Sequence, residues 1–144
     1  MNSPIVVTYG NATVPRHHRR VASVHPFDES VARLKTAIER ADLWLIHEID
    51  PQLLLRRGGF AIARARQLFF FHPRLMVRLL AADPGGLPEV PLKLVVTEDA
   101  DGSCFVTSVL PSFSFAPYPR LADLSAELST LCTSLISSVE ATPT

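Results

Sequence analysis

Hydrophobic positions along this chain recur with two periods, and the alternation between the periods predicts its elements. Residues 20–25, RVASVH, read as a first strand. After them Val31, Leu34, Ile38 and Ala41 fall at three- and four-residue spacing, the stripe of an amphipathic helix. Asp28 is the expected N-cap of that helix, with Phe27 packing back as a staple. LWLIHEID is apolar on both parities apart from His47 and Glu48 and predicts a strand. Asp50-Pro51 then opens a short helix, Pro51 to Arg57, stopped by Gly58-Gly59.

The same device repeats downstream. RQLFFF is a strand, His72 its corner, and Pro73 opens a helix carrying Leu75, Met76, Leu79 and Leu80, ended by ADPGGLPEVP with Gly85-Gly86 at the helix end. LKLVVTEDADGSCFVTSVL predicts a β-hairpin whose turn, Asp99 to Gly102, takes its positive φ from Gly102. A proline-rich bridge, PSFSFAPYPR, leads to a last helix with an apolar stripe of Leu121, Leu124, Leu128, Leu131, Leu135 and Val139.

The order is β-α-β-α-β-α-β-β-α, an α+β fold in a single domain. Helices between strands imply parallel pairs with right-handed crossovers, and the hairpin implies an antiparallel pair, so a mixed sheet of about five strands with helices on one face is expected. Residues 1–19, with Ile5-Val6-Val7-Thr8, form an amino-terminal arm able to add an edge strand, and residues 20–144 form the domain. Parity gives both sheet faces apolar bulk: Leu68 and Phe70 oppose Phe69 and Phe71, and Leu92, Leu94 and Val96 oppose Lys93, Val95 and Thr97. A helix layer covers only one face; the arm, through Ile5, Val6 and Val7, could cover the other but is too small for a sheet of this width, so a two-fold homodimer, packed sheet to sheet or along an edge strand, is expected to cover it.

Composition narrows the classes. A chain of 144 residues with 47% hydrophobic and 19% charged residues folds around one core, burying roughly two-thirds of its unfolded surface. With 14 acidic and 14 basic side chains it has no general pull toward nucleic acid or anionic lipid, and the one dense basic run, Arg16 to Arg20, reads as a solvated arm. Neither nucleic acid nor membrane is therefore an expected partner. No apolar run approaches the roughly 20 residues of a membrane span, and no signal peptide is visible, so a cytoplasmic location is expected. Cys104 and Cys132 lack C-x-x-C spacing and read as buried thiols. Five histidines without ligand spacing predict no metal and no cofactor. A nucleophile elbow and a phosphate loop are both missing.

Candidate chemistry gathers at strand ends. If the strands ran parallel, Asp50, His72 and Glu98, with Asp99 and Asp101, would share one sheet edge, where two helix N-termini would favour a small anionic metabolite. Each residue also has a structural reading: Asp50 as a helix cap, His72 as a corner, the acidic group as a solvated turn. Two function classes follow, a small-ligand-binding or oligomerising module and an enzyme with its site at the Asp50 and His72 edge.

Several stretches together resemble the bacterial and archaeal family catalogued as domain of unknown function 302, over about Val21 to Val139. FDESVARLKTAIERADLWLIHEID is similar to the family's opening helix and Ile-Asp strand end. Gly58 closes the next short helix as in the family, a strand ends before Pro73 where the family usually has Asn-Pro, and VPLKLVVTEDADG looks like its Leu-Pro-Leu strand and Asp-x-x-Gly hairpin. His72 stands where Asn is commoner, and Ser108 to Pro111 lacks the Tyr often found before that proline. The resemblance implies an α+β fold in an uncharacterised bacterial protein, and no reaction.

Overall fold

The local rules that open each helix also fix where the strands end. In the computed structural model, which describes residues 2–141, Asp50 Oδ1 accepts from Leu53 N at 3.1 Å and Pro51 occupies the first helical position, so β3 (Trp44–Ile49) gives way at once to α2 (Pro51–Arg57). The corner at β5 (Ala65–Phe71) works the same way: His72 Nδ1 accepts from Arg74 N at 3.0 Å and Pro73 opens α3 (Pro73–Ala82). Met1 of the expected arm and residues 142–144 of the expected domain lie outside the described residues.

The remaining elements are β1 (Ile5–Val6), β2 (His18–Ala22), α1 (Phe27–Arg40), β4 (Phe60–Ala61), β6 (Leu92–Glu98), β7 (Cys104–Val109), α4 (Pro111–Ser114) and α5 (Ala122–Ser137), with 3-10 turns at Pro84–Glu89 and Pro119–Leu121. Helix α1 starts at Phe27, not after Asp28. Pro26 is its cap residue and uses no side chain, Ser30 Oγ donates to the His25 carbonyl, and Asp28 sits in the first turn paired with Arg64 at 2.7 Å. The first strand likewise falls two residues earlier than the pattern placed its start, because its register is set by β7: His18 faces Val109 and Ala22 faces Phe105.

The fold is α+β, with a five-stranded sheet in the order β2-β7-β6-β5-β3. The expected parallel pairs within this sheet are not formed; every neighbour is antiparallel, and the parallel pair is the small β1–β4 sheet beside it. The reason lies in the connectors. Between β3 and β5 the chain goes out along α2 and back along β4; between β5 and β6 it goes out along α3 and back through the 3-10 turn. A connector with two limbs returns the chain to the end it left, which makes adjacent strands antiparallel. Helix α1 alone crosses the sheet, carrying the chain from the β2 edge to the β3 edge, so the strands it joins never touch.

Helices α1, α3 and α5 cover one face. Leu34 and Ile38, Leu75 and Leu79, and Leu124, Leu128, Leu135 and Ile136 pack on Leu68, Phe70, Leu94, Val96 and Val106 as one buried cluster. Gly86 does not close α3, whose C-cap is Asp83. It lies in the 3-10 return limb, where a Cβ would stand 2.6 Å from Leu121 Cδ1, so any larger residue there makes the buried Leu121 side chain or the limb shift. Cys104 and Cys132 are buried free thiols. Among the described residues, no helix is long and apolar enough to cross a membrane.

Candidate functional site

Strand alternation decides what the uncovered sheet face presents. One row across it runs Arg20, Thr107, Val95, Gln67 and Ile49 through all five strands; the row above runs Ala22, Phe105, Thr97 and Ala65; below lie His18 beside Val109, then Lys93, Phe69 and His47. These rows contain cationic and imidazole side chains and no carboxylate. The carboxylates Glu48 and Glu98 take the opposite parity, facing Leu68 and Cys104. The face is therefore amphipathic and positive although the chain as a whole is neutral.

The arm roofs one end of it. Ile5 N donates to Gly59 O and Val7 N to Ala61 O, both through the β1–β4 pair, and Tyr9 Oη donates to Ala63 O at 3.0 Å. From there the segment to Val14 arches over β2, β7 and β6 and encloses a groove of about 910 Å³, walled on the far side by the hairpin turn Asp99 to Asp101 and floored by His18, Arg20, Thr97 and Thr107.

Arg20 is the central group of this floor. Its guanidinium lies 3.6 Å over the Phe105 ring, which fixes its plane, and its nearest carboxylate oxygen, Asp99 Oδ1, is 3.7 Å away. Beyond this ion pair its guanidinium makes no hydrogen bond among the described residues, so a fork of donors faces the groove. Beside it, burial lowers the His18 pKa, and the nearby His17 and Lys93 lower it further, leaving a neutral imidazole near pH 7. Burial raises the Tyr9 phenol, which stays protonated and keeps its donor to the arm anchor.

The residues singled out from the sequence do not converge. β3 and β6 run in one direction and β5 in the other, so Asp50 and Glu98 lie at one end of the sheet and His72 at the opposite end, roughly 20 Å away along a seven-residue strand. An enzyme site needing Asp50 and His72 together has no geometric basis, because the shared edge required parallel strands. Asp50 caps α2 and lies 3.7 Å from Arg66; the ring of His72 caps α3 and packs edge-on against Trp44 at 5.1 Å. Near Asp50, Glu48 is held between Lys35 at 2.5 Å and Arg66 at 3.2 Å. Burial pushes its carboxyl up, but Lys35 and then Arg66 outweigh burial and hold it below the usual glutamate range.

Sequence reading passed over Tyr9, His18, Arg20, Thr97 and Thr107. A signal was present in the basic run: read as a strand, its alternate members His18 and Arg20 share a face while Arg19 takes the other and pairs with Glu140 at 2.9 Å.

The family model for the domain of unknown function DUF302 matches residues 19–139. The chain belongs to the DUF302 family. A solved structure described as an uncharacterized conserved protein DUF302 from Bacillus stearothermophilus superposes with a TM-score of 0.80 at 16% identity, covering 88% of this chain and 100% of that one; at that identity the likeness shows a shared fold. No curated protein matches the chain. The matched span takes in β2 from Arg19 to the end of α5 and leaves the arm and His18 outside it, so the matched sheet supplies Arg20, Thr97 and Thr107 of the groove floor and the arm of this chain supplies its roof.

Proposed function

We propose that this DUF302 protein is a binding module for a small anionic metabolite, held in the groove between the arm and the open sheet face. The observation that carries the reading is Arg20: a guanidinium stacked on Phe105, without a hydrogen bond among the described residues, at the floor of a cavity of about 910 Å³. A carboxylate or phosphate oxygen there gains a charge-assisted, two-pronged contact. Thr97, Thr107 and neutral His18 add donors around it, and Val6, Val7 and Val14 of the arm give apolar area for the rest of a ligand. A two-fold homodimer belongs to the same reading, since the groove occupies only the β2 side of the sheet.

A thermal-shift series with inorganic phosphate and with mono- and dicarboxylates, each against its neutral amide or alcohol, tests the proposal. Anions are expected to raise the melting temperature of the wild type, and Arg20→Gln to remove that rise. A rise of equal size in Arg20→Gln, or none for any anion, would contradict it.

A further inference from the structure

The two edges of the sheet are treated differently. At the β2 edge, His18, Arg19 and Arg20 occupy three of the five positions, and the chain end lies alongside: Ser23 bridges to Glu140 and Val24 N donates to Val139 O. At the β3 edge, among the described residues, no backbone group of Trp44–Ile49 bonds outward, and three consecutive apolar side chains are exposed, Trp44 at 57%, Leu45 at 36% and Ile46 at 53%. A free strand edge carrying apolar side chains is a template for another strand, normally guarded by charge. Here the only carboxylate of the strand, Glu48, is held inward by Lys35 and Arg66 and guards nothing.

We infer that β3 is the homodimer interface, pairing antiparallel with β3 of a second copy to give one ten-stranded sheet. Three features select a second copy over any other strand. Two identical edge strands related by a two-fold axis through the sheet are necessarily antiparallel, and every pair in this sheet already is. The strand carries a bulge between Leu45 and His47, and a bulged, twisted edge discourages partners of different twist; the symmetry mate brings the same bulge at the same place. An axis near Ile46, mid-strand, also sets Ile46 against its own copy.

The arm works against the other arrangement expected from the pattern, sheet face on sheet face, because its segment to Val14 already lies over the β2 side of that face and would have to be displaced from Arg20. Edge pairing keeps both positive faces open and leaves the two grooves at the outer ends of the joined sheet. The inference stands on β3 alone and does not require the anion reading.

Size-exclusion chromatography with light scattering decides it, with no ligand present. The wild type at about 100 μM is expected at twice the 15.8 kDa chain mass, and Ile46→Lys and Leu45→Lys at the chain mass with unchanged far-ultraviolet circular dichroism. Amide exchange on the unmutated protein gives a second readout: β3 amides become less protected on dilution while β6 amides do not. A monomeric wild type, variants that keep the dimer mass, or β3 protection independent of concentration would each overturn the inference. Any of these could occur with anion binding intact, and loss of anion binding in Arg20→Gln could occur with the dimer intact.

Discussion

Asp50 and His72 hold acceptors that the first free amides of α2 and α3 need, and each already uses one side-chain atom for that purpose. Asp50→Ala is expected to lower stability by about 0.5–2 kcal/mol in chemical denaturation; an unchanged midpoint would show that the cap contributes nothing. His72→Ala should cost about as much, whereas His72→Asn, which restores a short acceptor common at N-caps, should stay within about 0.5 kcal/mol of wild type. His18 gives a pH signature. Its folded pKa is depressed below the ordinary 6.5, so the unfolded chain takes up the proton first, and the contribution of His18 to stability is lost as pH falls below about 6.5. Melting curves from pH 8 to 5 should lose part of that slope in His18→Gln. Anion binding should strengthen over the same range, since protonated His18 adds a charge beside Arg20. Burial pushes the Cys132 thiol up to about 11 and raises Cys104, so both should resist a thiol reagent in the native state and react after unfolding.

At the scale of elements, what was legible was whatever a local rule decides. The Asp-Pro and His-Pro corners, the hairpin around Gly102 with its φ of 85°, and the period of α1, α3 and α5 all depend on residues a few positions apart, and they read correctly. Strand direction did not. It was decided by the return limbs Phe60–Ala61 and Pro84–Glu89, too short to carry a period and rich in the residues that mark turns, so both passed for plain loops. With direction misread, Asp50 and His72 were set on one edge. Gly86 belongs here too: Gly86→Ala is expected to destabilise by about 1–3 kcal/mol, because the buried Leu121 side chain or the limb must shift. Glu48 locks α1 to the β3 edge. With its pKa held below the ordinary 4.5, it contributes stability above that pH and loses it as pH falls further, so Glu48→Gln should flatten the acid limb of a stability profile.

For the whole molecule, the net charge of zero concealed a division of labour between the two sheet faces. Parity along β5 and β6 read as apolar bulk on both faces; which strands would stand beside β2, and hence that Arg20, Thr107 and Thr97 would lie under the arm, depends on pairings 80 and more residues apart. The arm was expected as an edge strand; its β1 pairs with β4, Ile5 and Val6 stay exposed at 64% and 72%, and its middle forms the roof of the groove. Replacing Arg20 by Gln should weaken a bound anion by roughly tenfold to a hundredfold, the worth of a charge-assisted hydrogen bond at about 1.5–3 kcal/mol. The most direct test is a nitrogen-proton correlation spectrum of the labelled protein titrated with inorganic phosphate and with a dicarboxylate. The account predicts saturable shifts centred on Tyr9, His18, Arg20, Thr97 and Thr107; shifts centred instead on Asp50 and Glu98, on His72, or on no region would contradict it.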